Sequence, residues 1–435
     1  MDTTTDRERW RSLAARALSR TSGSSVDPAD VERLLTTTTY DGVEIRPLYT
    51  EEDAGHPYPR SGAREAGGWR IRQHHRIADP GEARRDLDAG VTSLWVAGGA
   101  GLTGVLAEID PAAHTIVLDA GDDLAAAAET LLRYAAGLPG PLEGGLGADP
   151  ITRRVPGEDA TALAVRCARS FPGLRAFTVD ATVHHDAGGS DAEELGCGLA
   201  VAVEYLRRMT GAGLTAGEAF QQIEHRYAAT ADQFATIAKL RAARRLWARV
   251  AELFGAAPGA AVQVQHAVTS GAMMTVRDPW NNMLRATLAC FGAGVGGADA
   301  VTVRPYDDVL ESPSELGRRV ARNTGAILLD ESRLGAVADP AGGSWFVESL
   351  TDGLAGAAWD WFTEIENGGG AAAALESGLI EKRLAATRDR RRDDIANGRT
   401  TIVGVTAFPD PDEIPDRPAT PDGVPSGHRY AEEFE

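Results

Sequence analysis

The residue types able to do chemistry gather in four short stretches. Arg72, Gln73, His74 and His75 are contiguous; His184, His185 and Asp186 form a second group; His266 is followed closely by Thr269 and Ser270; Arg304 precedes Asp307 and Asp308. Two aspartates, Asp119 and Asp149, end further apolar runs. An imidazole titrates near neutrality and serves as acid, base or ligand, and a guanidinium clamps carboxylates and phosphates through its planar fork. Each group also has an ordinary explanation. Adjacent histidines on a loop point different ways and usually sit at the surface, because a ligand set needs convergence that adjacency does not supply. His266, mid-strand in QVQHAVTS, is either a satisfied core histidine or a contact to a ligand inside a barrel, and Arg72 is either a clamp or half of an ion pair.

The elements that must position these groups alternate steadily. Strands are read at Trp69 to His74, Ser93 to Ala97, Thr115 to Leu118, weakly at Gly144 to Asp149, at Ala176 to Thr182, Ala261 to Ser270 and Ala300 to Tyr306, with a last one near Val337. Helices fill the gaps, among them Asp191 to Arg208, Ala216 to Tyr227, Asp232 to Phe254 and Ser314 to Leu329. Eight strands each reached through a helix predict a closed α/β architecture, the (β/α)8 TIM barrel, with chemistry at the C-terminal strand ends. GGAGLTG, Gly98 to Gly104, follows a strand and opens a helix as a phosphate loop would; it lacks the spacing and the lysine of one, and its glycines suit a tight turn equally. Before the barrel come an amphipathic helix, Asp6 to Ser19, with Trp10, Leu13, Ala14, Ala17 and Leu18 on one face, a helix at Asp27 to Leu35 and a short strand at Val43 to Leu48. The chain divides into an N-terminal extension (1–50) expected to contact a partner chain, the barrel (51–350), C-terminal helices (351–408) completing the barrel domain and a Pro- and Asp-rich linker (409–435), after which a further domain or a partner chain is expected.

Composition narrows the class. With 435 residues, 43% of them apolar, the chain can bury a large core, and a formal charge of -19 argues against nucleic acid or an anionic membrane as partner. Three widely spaced cysteines predict packed thiols, with neither disulfides nor a zinc site. The charged Met1 to Arg20 stretch does not read as a signal peptide and no run of 18 apolar residues occurs, so a cytoplasmic location is expected.

Several segments together resemble the methylmalonyl-CoA mutase family of adenosylcobalamin-dependent acyl-CoA mutases: WRIRQHH (69–75), VEYLRRMTGAGL (203–214), FATIAKLRAARRLWARV (234–250), HAVTSGAMMTVRDPWNNMLRATLAC (266–290), ARNTGAILLDES (321–332), DPAGGSWFVE (339–348) and TIVGVTAF (401–408). The resemblance implies a (β/α)8 barrel threaded along its axis by the CoA chain, then a linker and a cobalamin domain, with radical chemistry shielded by the protein. It also exposes departures. Where active members carry a tyrosine after the first strand this chain has His74, and where they carry a histidine after the fifth it has Val183. Their arginine and glutamine beside strand four have no counterpart near Gly144 to Arg154, and the cobalt-ligand motif DxHxxG is absent. Each donor in such a site contributes a few kcal/mol to the transition state, so their joint loss implies lost catalysis. The resemblance is to the non-catalytic small subunit of heterodimeric mutases. It implies a catalytic large subunit as partner, adenosylcobalamin held by that partner and no cofactor or metal held here. Arg72, Gln73, His184, His266 and Arg304 are then candidates to line a substrate channel with residual CoA-ester contact. The alternatives are an active acyl-CoA mutase of altered specificity that takes cobalamin from a separate chain, and a stand-alone CoA-ester binding protein.

Overall fold

The computed structural model describes residues 3–53, 67–119, 121–152, 160–257, 259–310, 313–410 and 427–435. Eight parallel strands close on themselves: β1 (Arg70–His75), β2 (Ser93–Ala97), β3 (Thr115–Asp119), β4 (Gly144–Ala148), β5 (Leu174–Asp180), β6 (Ile223–Ala229), β7 (Val264–Thr269) and β8 (Ala300–Thr302). Closure is made where Ala300 and Val301 of β8 register with Arg70 and Ile71 of β1. This is the expected (β/α)8 barrel. Helices from Pro80–Asp88 round to Glu315–Ala326 cover it, and the main apolar core lies between them and the strands.

One strand is not where the sequence put it. The stretch read as a helix from Ala216 to Tyr227 ends its helix at Gln221 and runs on as β6, all seven residues of which are buried. The strand expected near Val337 does not form; residues 332–344 are turns and bends and Val337 is exposed. The runs at 261 and 300 are therefore the seventh and eighth strands, and the latter stops at Thr302. The sequence hid β6 because Glu224, His225 and Arg226 look like solvent-facing residues. Glu224 and Arg226 are buried because partners on other strands neutralise them, a tertiary effect that no local pattern reports.

The glycines of two doubtful segments have packing reasons. A Cβ at Gly144 would sit 1.9 Å from the carbonyl oxygen of Ile116, and one at Gly147, in a left-handed conformation (φ 71°), 2.0 Å from that of Leu118. Only glycine lets β4 lie this close to β3. In GGAGLTG, a Cβ at Gly101 would stand 1.7 Å from the carbonyl oxygen of Ala78, so the phosphate-loop likeness reduces to close packing.

Outside the barrel, the helix Thr3–Ser22 is held to the next helical turn by Arg7 and Arg11, both donating to Glu32 at 2.9 Å. A two-strand ladder joins Thr37–Thr38 to Glu44–Ile45. The expected C-terminal helical region is three helices, Trp345–Asn367, Ala371–Glu376 and Leu379–Ala396, the first packed along Asp191–Gly211 and Gln233–Leu253. Of the linker, residues 411–426 lie outside the described residues. All three cysteines are buried and free, as expected. Among the described residues no helix is long and apolar enough to cross a membrane.

Candidate functional site

Alternation along each strand sends every second side chain into the barrel, and here those side chains pair with one another. Deep in the axis, Arg72 Nη1 donates to Glu224 Oε1 at 2.5 Å and its Nε to Ser93 Oγ at 2.9 Å, while Thr115 donates to the same serine at 2.8 Å. Burial penalises the Glu224 carboxylate most, yet the charge and hydrogen bond of Arg72, joined by the charges of Arg226 and Arg175, together outweigh it and hold the group below its usual pKa. One layer higher, Arg226 Nη1 donates to Asp180 Oδ2 at 2.8 Å and its Nε to His266 Nδ1 at 3.2 Å. Because Nδ1 of His266 accepts, its proton is on Nε2, which donates to Thr302 Oγ1 at 2.8 Å. Burial, and then the charges of Arg72 and Arg226, hold His266 well below the ordinary histidine pKa.

Trp95 organises this layer. The ring of His74 stacks on it at 3.8 Å with 20° between planes, and the Arg226 guanidinium lies 3.9 Å from the ring centre. Two groups that close to one ring must take opposite faces, so Trp95 is clamped between them. His266 meets it edge-on at 5.4 Å, and Val117 and Val268 complete a small apolar cluster separate from the main core. A desolvated cation over an indole contributes roughly 2 kcal/mol. His74 also reaches Asp119 Oδ2 at 3.2 Å, and burial outweighs that carboxylate in lowering its pKa.

At the mouth, Arg304 is tied at both ends: Nε donates to the carbonyl oxygen of Thr269 at 3.0 Å and Nη1 to Asp308 Oδ2 at 3.1 Å, with Arg76 on the other oxygen of Asp308 at 2.8 Å. The histidine pair is not on a surface loop, as its adjacency suggested. Thr182–Asp186 is one turn of helix, and His184 and His185 are 3% and 2% exposed. The turn is folded inward by Gly188 and Gly189, whose added Cβ atoms would strike Arg388 and Leu384 of the helix Leu379–Ala396. His185 Nε2 lies 2.7 Å from Ser270 Oγ, while His184 Nε2 is buried without a hydrogen-bond partner. Burial pushes the two down to about 3 and about 4, with the charge of Lys239 adding to the effect on His185. Asp186 is pushed up to about 6 by burial.

Above this turn sits the segment 427–435. Amides of His428 and Tyr430 donate to the carbonyl oxygens of Asp186 and Ala272, both at 2.8 Å. Glu435 Oε1 accepts from the amides of Val276 and Arg277, and Tyr430 places its hydroxyl 3.4 Å from His185 Nε2.

Of the five channel candidates, Arg72 and His266 project into the axis, Arg304 and His184 stand at its mouth, and Gln73 leaves the set. Gln73 registers with Leu94, whose side chain belongs to the core outside the barrel, so alternation turns both toward the helices. The sequence reading missed Trp95, Asp180, Glu224 and Arg226. The signal for two of them was available in IEHRYAA, where Glu224, Arg226 and Ala228 alternate with His225 and Tyr227 at strand spacing. Among the described residues no cluster of histidine, cysteine or carboxylate side chains is arranged to hold a metal ion.

The pattern of the methylmalonyl-CoA mutase family matches residues 158–428. The chain is 50% identical over 97% of its length to the methylmalonyl-CoA mutase small subunit of Streptomyces virginiae, covering 73% of that protein. The chain belongs to the methylmalonyl-CoA mutase family. The small subunit of Propionibacterium freudenreichii subsp. shermanii is 37% identical over 88% of the chain and 65% of its own length. The methylmalonyl-CoA mutase of Escherichia coli is 28% identical over 92% and 64%. Within this family, then, the axis of this barrel carries a self-paired column of Arg72, Glu224, Trp95, Arg226 and His266.

Proposed function

We propose that the chain is the non-catalytic small subunit of a heterodimeric methylmalonyl-CoA mutase, and that it stabilises a catalytic large subunit in which adenosylcobalamin resides. The observation that carries the reading is the clamped Trp95. A substrate threaded down this axis would have to displace an indole held on both faces, and break the Arg226–Asp180 and Arg72–Glu224 pairs beneath it. Opening a buried ion pair leaves an uncompensated charge and costs about 3–5 kcal/mol, which substrate binding would have to offset.

The residues at the mouth do not fit a corrin. The imidazole of His74 is spent on Trp95 and Asp119 and that of His185 faces Ser270, while carbonyls and amides of the loops after β5 and β7 are taken by residues 427–435. Val183, at the place of the family's histidine, has no group to donate. The names of the related small subunits support a large-subunit partner.

The test is co-expression with a large mutase chain that keeps the tyrosine, the histidine and the DxHxxG motif. A 1:1 complex by sedimentation, and no turnover of methylmalonyl-CoA by this chain alone with adenosylcobalamin, are expected. A monodisperse monomer that ignores the large chain, or turnover by this chain alone, sinks the proposal.

A further inference from the structure

The loop after β7 holds a carboxylate in a cradle of main-chain amides. Glu435 Oε1 accepts from the amides of Val276 and Arg277, at 2.5 and 3.1 Å, and Glu435 Oε2 accepts from Arg429 Nη1 at 2.5 Å. Successive amides that converge on one oxygen form an anion-binding concavity, and a guanidinium on the second oxygen completes it. The Arg429 and Glu435 side chains are 8% and 9% exposed, unlike a surface pair. The carboxylate comes from 159 residues along the chain, so no local turn requires it. The loop is bent to receive it: Asp278, directly after the cradle, is held at φ 43°, in the left-handed region, and a Cβ at Gly404 would stand 2.8 Å from that of Asp278.

Charge favours an anion here even without Arg429. Arg285, on the helix Asn281–Val295, donates to Thr275 Oγ1, Asn282 Oδ1 and the carbonyl oxygen of Val403, all neutral acceptors. Burial holds its pKa below the ordinary arginine value, and the charges of Asp278 and Glu435 oppose that shift. Asp278 is the competing carboxylate, and its Oδ2 is turned to Asn281 Nδ2 at 2.6 Å.

The occupant can leave. Residues 427–435 form turns and bends, and outside the cradle their main-chain bonds to the rim, among the described residues, run from His428 to Asp186 and from Tyr430 to Ala272. Local opening of such a segment needs far less than global unfolding. Once it lifts, the two amides and Arg285 stay behind at the end of the barrel.

We infer that the amides of Val276 and Arg277, with Arg285 beside them, are a carboxylate-binding site that Glu435 occupies, and that a small-molecule carboxylate competing for it releases residues 427–435 from the barrel mouth. Occupancy and opening are reciprocal: what binds the cradle displaces Glu435, and what pins the segment weakens binding. The inference is independent of the subunit reading.

The experiment is hydrogen exchange of the full chain, as wild type and as Glu435→Ala, in acetate, in inorganic phosphate and in chloride at one ionic strength and pH. In chloride, Glu435→Ala should lose roughly tenfold or more of its protection at the amides of Val276 and Arg277, the scale of a charged hydrogen bond, while the strands keep theirs. Acetate should restore that protection, and phosphate less of it. In wild type, acetate at about twice the Kd found in the variant should raise exchange at His428 and Tyr430 about threefold, because a ligand of the open form multiplies its population by 1 + [L]/Kd. The amides of Val276 and Arg277 should stay protected meanwhile, since one carboxylate replaces another. This wild-type arm does not depend on how the variant folds. If Glu435→Ala exchanges like wild type in chloride, the carboxylate does not hold the cradle and the inference falls. It falls equally if acetate restores nothing in the variant. Recovery in the variant with no change in wild type would mean that no outside carboxylate displaces Glu435, which overturns the release, and recovery in phosphate alone overturns the choice of carboxylate.

Discussion

Both ring nitrogens of His225 are buried without a hydrogen-bond partner, the ring set edge-on against Trp247 at 4.5 Å. Burial pushes its pKa down to about 3. A depressed histidine is neutral in the fold and charged in the unfolded chain below about pH 6.5, so the unfolded state binds the extra proton. Stability is therefore full above that pH and falls as pH drops from 6.5 toward 3. At pH 5 this one residue costs about 2 kcal/mol relative to pH 7. His225→Leu should be neutral to mildly stabilising at pH 7 and more stable than wild type by about 2 kcal/mol at pH 5, measured by urea unfolding at the two pH values. Taking the difference between the two proteins cancels the carboxylates that titrate in the same range, such as Glu194, which burial raises to about 7 against the pull of Lys239. An equal difference at both pH values would mean that His225 is hydrated and not buried dry. At the same scale, Arg226 bonds Asp180 and His266 and covers Trp95. Arg226→Met should cost about 3–5 kcal/mol, because it strands the buried Asp180 carboxylate.

At the level of elements, what was legible in the sequence and what was not divide along a physical line. Ser93–Ala97 matches its sequence reading to the residue, and so does the start of Asp191–Gly211, where the structure shows a capping box of Ser190 and Glu193. These signals are local. β6 was not local: its Glu224 and Arg226 are strand residues only because Arg72, Asp180 and His266 wait for them on β1, β5 and β7. The axis was legible by half for the same reason, with Arg72 and His266 named and their partners missed. That β1 and β6 face one another across the axis is testable as coupling. Arg72→Met alone leaves Glu224 unpaired and should destabilise by about 3–5 kcal/mol, and Arg72→Met with Glu224→Met should recover most of that loss. Chemical denaturation of the four proteins of the cycle measures it; additive losses would place the two residues in separate environments.

For the molecule as a whole, the segment 427–435 decides how open the barrel is. It joins three parts of the chain at the mouth: the turn 182–189, the loop 270–277 and, through Arg391, the N-terminal extension. The Arg391 guanidinium lies between the rings of Tyr40 and Tyr430, at 4.8 and 4.7 Å, and donates to the carbonyl oxygen of Gly188 at 2.8 Å. Tyr430→Ala removes one face of that sandwich and the hydroxyl beside His185, while leaving the barrel strands untouched. Protection from hydrogen exchange measures local opening, and each tenfold loss corresponds to about 1.4 kcal/mol. A cation–π contact of about 1 kcal/mol plus a weak hydrogen bond predicts a loss of roughly tenfold or more at the amides of His428, Tyr430, Val276 and Arg277, all bonded through this segment. The amides of β1 to β8 should keep their protection, since their opening requires global unfolding. If the four amides exchange as in wild type, Tyr430 does not hold the segment, and the remaining link from Arg429 to Glu435 and to the carbonyl oxygen of Met274 must suffice. If the strands lose protection as well, the mouth and the barrel unfold as one unit, and the segment belongs to the core of the fold rather than to its rim.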